Sequence, residues 1–535
     1  MARSPSSSPG PGAGSGASQW TPSHNKWLVT MSVMTGTIMS VLDISIVNVA
    51  LPHMQGSLGA SVEQITWVST GYILTEGYMM PLVSLLSAKI GRKRYYMLSV
   101  MLFAVASALC GTATSLTELV VFRVLQGVGG GALIPLSQAI LLENFPHEER
   151  GTAMGIFGIG VVLAPALGPT VGGWITDHYG WPWIFFINVP VGLVNLALVN
   201  YFVEDPPYAR RREVSIDWTG MGFLAVGLSC LQVMLEKGQN EQWFQSDLIR
   251  WLAGFALVGL AAFIWWELRK ADEPAVNLRL FKNVPFASAT LIGGILGVGL
   301  YASIFILPLF LQNLLGYPAF NSGLTLMPRS LAMGVVFPIA GRLYNKAGPK
   351  LFIGSGLILS VIAFWKLGQL DINVGFWDLF WPQVIQGVGF ALIFVALSTA
   401  AVAELRKAQM SDATGLYNVV RRVFGSAGVA LAATQLDDRR TGYHVVLGRH
   451  ITDARQSVAS WIESATHGFE SLGATPEIAR QKAMAALNGI VSRQAAMLAF
   501  NHVFYLMAIV FAVALPLIFF LHGRTGNGGV EITPE

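Results

Sequence analysis

The chain alternates long apolar runs with short polar punctuation. Fourteen runs stand out, at about 27–51, 64–88, 94–113, 117–142, 150–177, 181–202, 218–236, 247–268, 284–315, 322–343, 350–369, 377–405, 411–435 and 497–521. At ~1.5 Å per helical residue, runs of this length cross a ~30 Å hydrocarbon layer. In a bilayer the backbone must satisfy itself, so each run is expected to be a helix, and an occasional interior Pro or Gly is tolerated. The expected architecture is an all-α polytopic membrane protein with 14 transmembrane helices. Its parts are a Ser/Pro/Gly-rich disordered tail (1–25), six helices (26–202), a charged linker (203–217), two further helices (218–268) and a second linker (269–283). Six more helices (284–521), with a long outer loop (436–496), and a short tail (522–535) complete the chain.

Composition agrees with the pattern. The chain is 53% hydrophobic and 12% charged, against roughly 25% charged for a soluble domain, and its mean hydropathy is +0.55. A net charge of +4, divided among apolar runs, does not suggest a nucleic-acid partner. Cys110 and Cys230 both fall inside apolar runs, so neither a disulfide framework nor a metal site is expected. The first tail is not read as a signal peptide, because the run after it is too long for an h-region.

Loop charges set the orientation. If the chain starts inside, twenty of the 34 Lys and Arg residues lie on the inner side, including Lys26, Lys89, Arg92, Lys93, Arg94 and Arg210–Arg212. The short outer loops hold Lys237, Arg250 and Lys366. Both termini are therefore expected to be cytoplasmic.

The two six-helix groups also repeat one another. Phe122-Arg123-Val124-Leu125-Gln126-Gly127-Val128-Gly129 aligns with Pro382-Gln383-Val384-Ile385-Gln386-Gly387-Val388-Gly389, an offset of 260. Leu85–Lys93 aligns with Arg342–Lys350 at an offset of 257. Repeated helix bundles of this kind place a substrate path between the two halves.

Few residues could carry chemistry. Asp43 sits within the first apolar run, where an acid costs about 2.5–3.5 kcal/mol on insertion scales. Arg123 lies several residues into the fourth run and stays charged, so it needs a partner or a cavity. The two are read either as a proton site whose affinity changes with its surroundings or as a fixed ion pair between helices. Glu76 is a second intramembrane acid, fit for a cationic drug, a second proton or a polar network. Arg329, Arg421 and Arg422 are the charges of the second half. The run Gly127–Gly131 lacks a preceding strand and a Lys-Ser/Thr, and is read as close helix packing rather than a nucleotide loop. No Ser/His/Asp set or metal cluster is evident, so an enzyme is not expected.

The chain resembles the major facilitator superfamily, specifically its fourteen-helix drug:proton antiporter family and EmrB-like multidrug exporters within it. The likeness covers nearly all of 27–521. Leu42-Asp43-Ile44-Ser45-Ile46-Val47-Asn48-Val49-Ala50-Leu51-Pro52 resembles that family's first-helix motif. Gly155, Ala164, Gly168, Pro169, Gly172 and Gly173 follow its fifth-helix antiporter motif, with Ala164 where Gly is usual. Trp181-Pro182-Trp183-Ile184-Phe185-Phe186-Ile187-Asn188-Val189-Pro190 resembles its sixth-helix entry. Ala88 departs from the pattern, standing where an Asp usually pairs with the loop arginines.

The resemblance implies two six-helix bundles plus two inserted helices, and proton-coupled export of amphipathic compounds across a bacterial inner membrane. It implies Asp43 and Arg123 as the proton-coupling pair. Glu76, Tyr72, Tyr301, Asn418 and Arg421 become candidates for the substrate cavity. Gating falls to Gly91, Arg92, Gly341, Lys346 and Gly348 in the repeated loops, and to Gly168, Pro169, Gly172 and Gly173, expected to bend the fifth helix and pack between the halves. No cofactor is implied. The partners are the proton, a small substrate, the lipid bilayer and, through 436–496, a periplasmic membrane-fusion adaptor with a TolC-like channel. A proton-coupled transporter of a specific metabolite, siderophore or lipid is the alternative.

Overall fold

The computed structural model describes residues 24–206, 216–269, 274–403, 405–406, 409–451 and 455–520. The tail at 522–535, most of the tail at 1–25 and the middle of each linker, including Arg210–Arg212, lie outside the described residues. The described residues contain helices and no strand. In the first half these are α1 (Lys26–Leu58), α2 (Val62–Ile65), α3 (Trp67–Met79), α4 (Val83–Ile90), α5 (Arg92–Thr112), α6 (Leu116–Asn144), α7 (Arg150–Tyr179), α8 (Trp183–Phe186) and α9 (Asn188–Phe202). Two helices follow, α10 (Trp218–Lys237) and α11 (Asp247–Arg269). The second half comprises α12 (Val284–Leu309), α13 (Ala319–Ala347), α14 (Pro349–Leu367), α15 (Phe376–Ala400), α16 (Met410–Gly448), α17 (Gln456–Ser471) and α18 (Pro476–Ala514).

Eleven helices among the described residues are long and apolar enough to cross a membrane. The remaining expected spans fall on 62–90, on α7 and on α16. The stretch 62–90 is broken into α2, α3 and α4. Its second break is a 3-10 turn at Met80–Leu82, where Pro81 has no N–H to continue the ladder. The segment 436–496, expected as an outer loop with helical runs such as Glu477–Arg493, is mostly helical. The helix α16 runs on to Gly448 and α18 begins at Pro476, so the two spans extend into an antiparallel pair with α17 packed against α18.

Two bundles result. In the first, α1 packs on α6, α7 and α9, and α3 and α5 pack on α6. In the second, α12 packs on α15, α16 and α18, with α13 and α14 against α15. The turns at Gly91 (φ 93°) and Gly348 (φ 79°) occupy matching places in the two halves, in a backbone region that glycine enters without strain. The glycine run of α6 packs as expected: a Cβ at Gly127 would lie 2.6 Å from Tyr72 O, and one at Gly129 would lie 2.6 Å from Ser99 O.

The halves meet unevenly. Direct hydrogen bonds, ion pairs and ring contacts between them, among the described residues, lie at mid-depth or toward the end that carries Lys26. Thr414 Oγ1 donates to Pro135 O (3.1 Å), Asn418 Nδ2 donates to Gln138 Oε1 (2.8 Å), and Phe157 stacks on Phe394. The helix α7 meets α13 through small residues, with Gly151 and Gly341 backbone against backbone and Gly155 against the Phe337 carbonyl. This corrects the expectation for the fifth-helix glycines. Gly168 and Gly172 pack on Ser45 and Ile46 of α1, within one half, and a Cβ at Gly173 would meet nothing within 4 Å. The side chains of Pro169 and Lys346 lie outside the described set.

The pair α10–α11 sits beside this seam, its helices in contact at Gly227 and Gly259. It bonds to both halves. Glu236 accepts from Thr70 of α3 (2.5 Å), while Gln232 donates to Ser426 of α16 (2.7 Å).

A Cβ at Gly341 would lie 2.6 Å from Gly151 O, whereas one at Gly334, on the same helix, would meet nothing within 4 Å. Gly341→Val is therefore expected to lower the unfolding temperature, at a cost of about 1–3 kcal/mol, and Gly334→Val to leave it unchanged.

Candidate functional site

The first-half polar centre is built from five helices. Asp43 of α1 and Arg123 of α6 face each other inside the bundle, 2% and 1% exposed. Arg123 Nη1 donates to Asp43 Oδ2 at 2.6 Å. The other carboxylate oxygen accepts from Gln126 Nε2 (2.9 Å) and Asn188 Nδ2 (2.8 Å). Arg123 also donates to Gln126 Oε1 (2.7 Å) and to the Val68 carbonyl (3.1 Å), and its guanidinium lies 4.3 Å from the centre of the Tyr72 ring. Behind it, Tyr72 shares a hydrogen bond with Ser40 (3.2 Å), and Asn188 is held by Ser107 (3.1 Å). A charge pair removed from water must have its remaining hydrogen-bonding capacity filled to be tolerated, and this one does. Both carboxylate oxygens are occupied by side chains of the first bundle.

A second ion pair crosses the seam. Glu76 of α3, fully buried, meets Arg422 of α16 at 2.5 Å, and its Oε1 has no hydrogen-bond partner among the described residues. This pair joins the two halves, whereas Asp43–Arg123 joins helices of one half. Arg421, the expected cavity residue, points instead into the second bundle, 5.4 Å from the Phe394 ring centre and 5.8 Å from that of Tyr417.

Other expected residues are redistributed. Tyr72 is fully buried beneath Arg123, not lining an open cavity. Asn418 belongs to the seal between the halves through Gln138. Tyr301 is 36% exposed and packs on Gly425. Arg92 pairs with Glu143 of α6, and the backbone N–H of Lys93 donates to Asp205 (2.8 Å). The acid missing at Ala88 is thus replaced by carboxylates from elsewhere in the chain. A crevice of about 330 Å³ opens between α3, α6 and α10, bordered by Trp67, Leu74, Tyr78, Val124 and Ser229. No group of three or more potential metal ligands occurs among the described residues.

Sequence reasoning found Asp43 and Arg123 but missed the residues that complete them. Gln126 could have been found from its helical spacing, since it follows Arg123 by three residues and shares its face. Asn188 lay in a recognised motif, and only the fold reveals that it reaches Asp43.

Asp43→Asn strands a buried guanidinium and is expected to destabilise the protein by about 3–5 kcal/mol. The double variant Asp43→Asn/Arg123→Gln is expected to recover much of that loss. A thermal-unfolding cycle in which the two changes simply add would show that the pair is not coupled.

This geometry sits in a chain whose relatives are known. A sequence model of the Major Facilitator Superfamily matches residues 33–429. The multidrug export protein EmrB of Haemophilus influenzae is 34% identical over 92% of this chain and 95% of its own length. The fatty acid resistance protein FarB of Neisseria gonorrhoeae is 34% identical over 94% of this chain and 97% of its own. The solved human organic anion transporter MFSD10 shares the fold, with a TM-score of 0.61 at 15% identity, covering 91% of this chain and 99% of that one. The chain belongs to the major facilitator superfamily and, within it, to the family of the EmrB multidrug export proteins.

Proposed function

We propose that this membrane protein exports amphipathic compounds in exchange for protons, crossing a bacterial inner membrane fourteen times with both termini in the cytoplasm. The observation that carries this reading is the buried Asp43–Arg123 pair, sealed within one half of a two-bundle protein. With the Lys26 end cytoplasmic, the contacts at Thr414, Asn418 and Gly341 close the inner side, and the described state faces outward. A proton reaching Asp43 in that state neutralises the carboxylate and leaves Arg123 without its counter-ion. The half-bundle then prefers another arrangement, and substrate prefers the unprotonated one. Coupling is this difference in affinity. Each inward positive charge supplies ~2.3 kcal/mol per 100 mV.

The substrate region lies along the seam at mid-depth, where Glu76 and Arg422 offer both signs of charge beside Tyr301. The names of the relatives, a multidrug exporter and a fatty acid resistance protein, support amphipathic cargo. FarB also favours the narrower reading of a transporter for lipid-like acids. The helical projection of α16, α17 and α18 exposes Leu472, Ile478, Met484 and Ile490, which suits docking of a periplasmic adaptor leading to an outer-membrane channel.

In liposomes carrying a pH gradient, the protein is expected to move an amphipathic dye against the proton flow. Movement with the protons, or indifference to the gradient, overturns antiport. Asp43→Asn is expected to lose the response to the gradient. Glu76→Gln is expected to weaken export of cationic dyes about tenfold while sparing neutral ones, through loss of one charge-assisted contact.

A further inference from the structure

The second half repeats the frame of the first-half polar centre at several matching positions, with the acid left out. Gln383 Nε2 donates to the Thr325 carbonyl (2.8 Å) as Arg123 Nε donates to that of Val68 (3.1 Å). Gln386 Nε2 donates to Ser303 Oγ (3.1 Å) as Gln126 Nε2 donates to Asp43 Oδ1 (2.9 Å). A Cβ at Gly387 would strike the Arg329 carbonyl as one at Gly127 would strike that of Tyr72. The offsets are those of the sequence repeat, 260 for 43/303, 123/383, 126/386 and 127/387, and 257 for 68/325 and 72/329. Ser303 therefore stands where Asp43 stands, Gln383 replaces Arg123, and the cation reappears as Arg329 in the place of Tyr72.

One half thus holds a cation with its acid, and the other holds a cation alone. Arg329 is 8% exposed, makes no hydrogen bond or ion pair among the described residues, and has a buried, unpartnered Nη1. The Ser303 oxygen accepts from Gln386, and its own proton is free to donate. The Oε1 atoms of Gln383 and Gln386 are also buried without partners among the described residues, so acceptors as well as donors are left open in this half. A guanidinium does not shed its proton to escape burial, so at this depth it needs a compensating negative charge.

We propose that Arg329 and Ser303 bind a small monoanionic group, either the carboxylate of an amphipathic acid or a free halide. That group supplies in the second half the charge that Asp43 supplies covalently in the first. A single unpaired cation balances one negative charge rather than two.

The site is testable at equilibrium, whether or not the protein transports anything. The protein in nanodiscs, in a buffer free of small anions, is titrated calorimetrically with potassium chloride, with sodium octanoate, and with octanol as the uncharged control. Saturable binding of chloride alone identifies a free halide, and binding of octanoate but not octanol identifies an acid head group. Arg329→Gln is expected to weaken that binding about tenfold or more. Ser303→Asp places a carboxylate at the position equivalent to Asp43, and is expected to abolish binding while keeping the protein folded in the absence of added anion. That variant decides the matter if Arg329→Gln does not fold. Absence of saturable binding by the unmodified protein, unchanged affinity in Arg329→Gln, or undiminished binding in Ser303→Asp overturns the proposal.

Discussion

A charge inside hydrocarbon must be matched. That constraint organises the interior of this protein. Asp43 is admitted to α1 because Arg123, Gln126 and Asn188 arrive from other helices to occupy its two oxygens. The glycines of α6 in turn let α3 and α5 approach, and these carry the Val68 carbonyl that accepts from Arg123 and the Ser107 hydroxyl that holds Asn188. Close packing and charge compensation are therefore one condition. Widening the α3–α6 contact would loosen the Val68 carbonyl and the Tyr72 ring that hold the guanidinium.

Two of the buried ion pairs differ in what they join. Asp43–Arg123 is filled by hydrogen bonds and lies within the first bundle. Glu76–Arg422 lies across the seam and leaves one carboxylate oxygen unpartnered. The second pair therefore depends on how the two halves sit against each other, and the first does not.

Much of this was legible in the sequence. Apolar run length located the helices, the two loop repeats paired the halves, and an acid and an arginine at unusual depth identified the polar centre. Contacts over long separation were not legible. That Arg422 rather than Arg421 reaches the seam depends on the rotation of α16, which a one-residue difference of 100° along a helix decides and hydrophobicity does not. The glycines of α7 misled for a similar reason. A motif of small residues announces close packing but not the partner, and here one stretch of α7 faces α1 while another faces α13. Helical runs within 436–496, such as Glu477–Arg493, were legible, but not their continuity with the membrane spans.

The inserted pair α10–α11 adds a mechanical consequence. A two-bundle rocker of the simplest kind has nothing across its flank, so each half swings freely about the central contact. Here Thr70 holds Glu236 and Ser426 holds Gln232, a single turn apart on one stiff helix, so α10 is riveted to both moving bodies at once. The pair is tied further, by Lys237 to Thr66 of the first half and by Trp243 to Thr434 of the second, so a relative displacement of the halves would have to give up the bonds on one side.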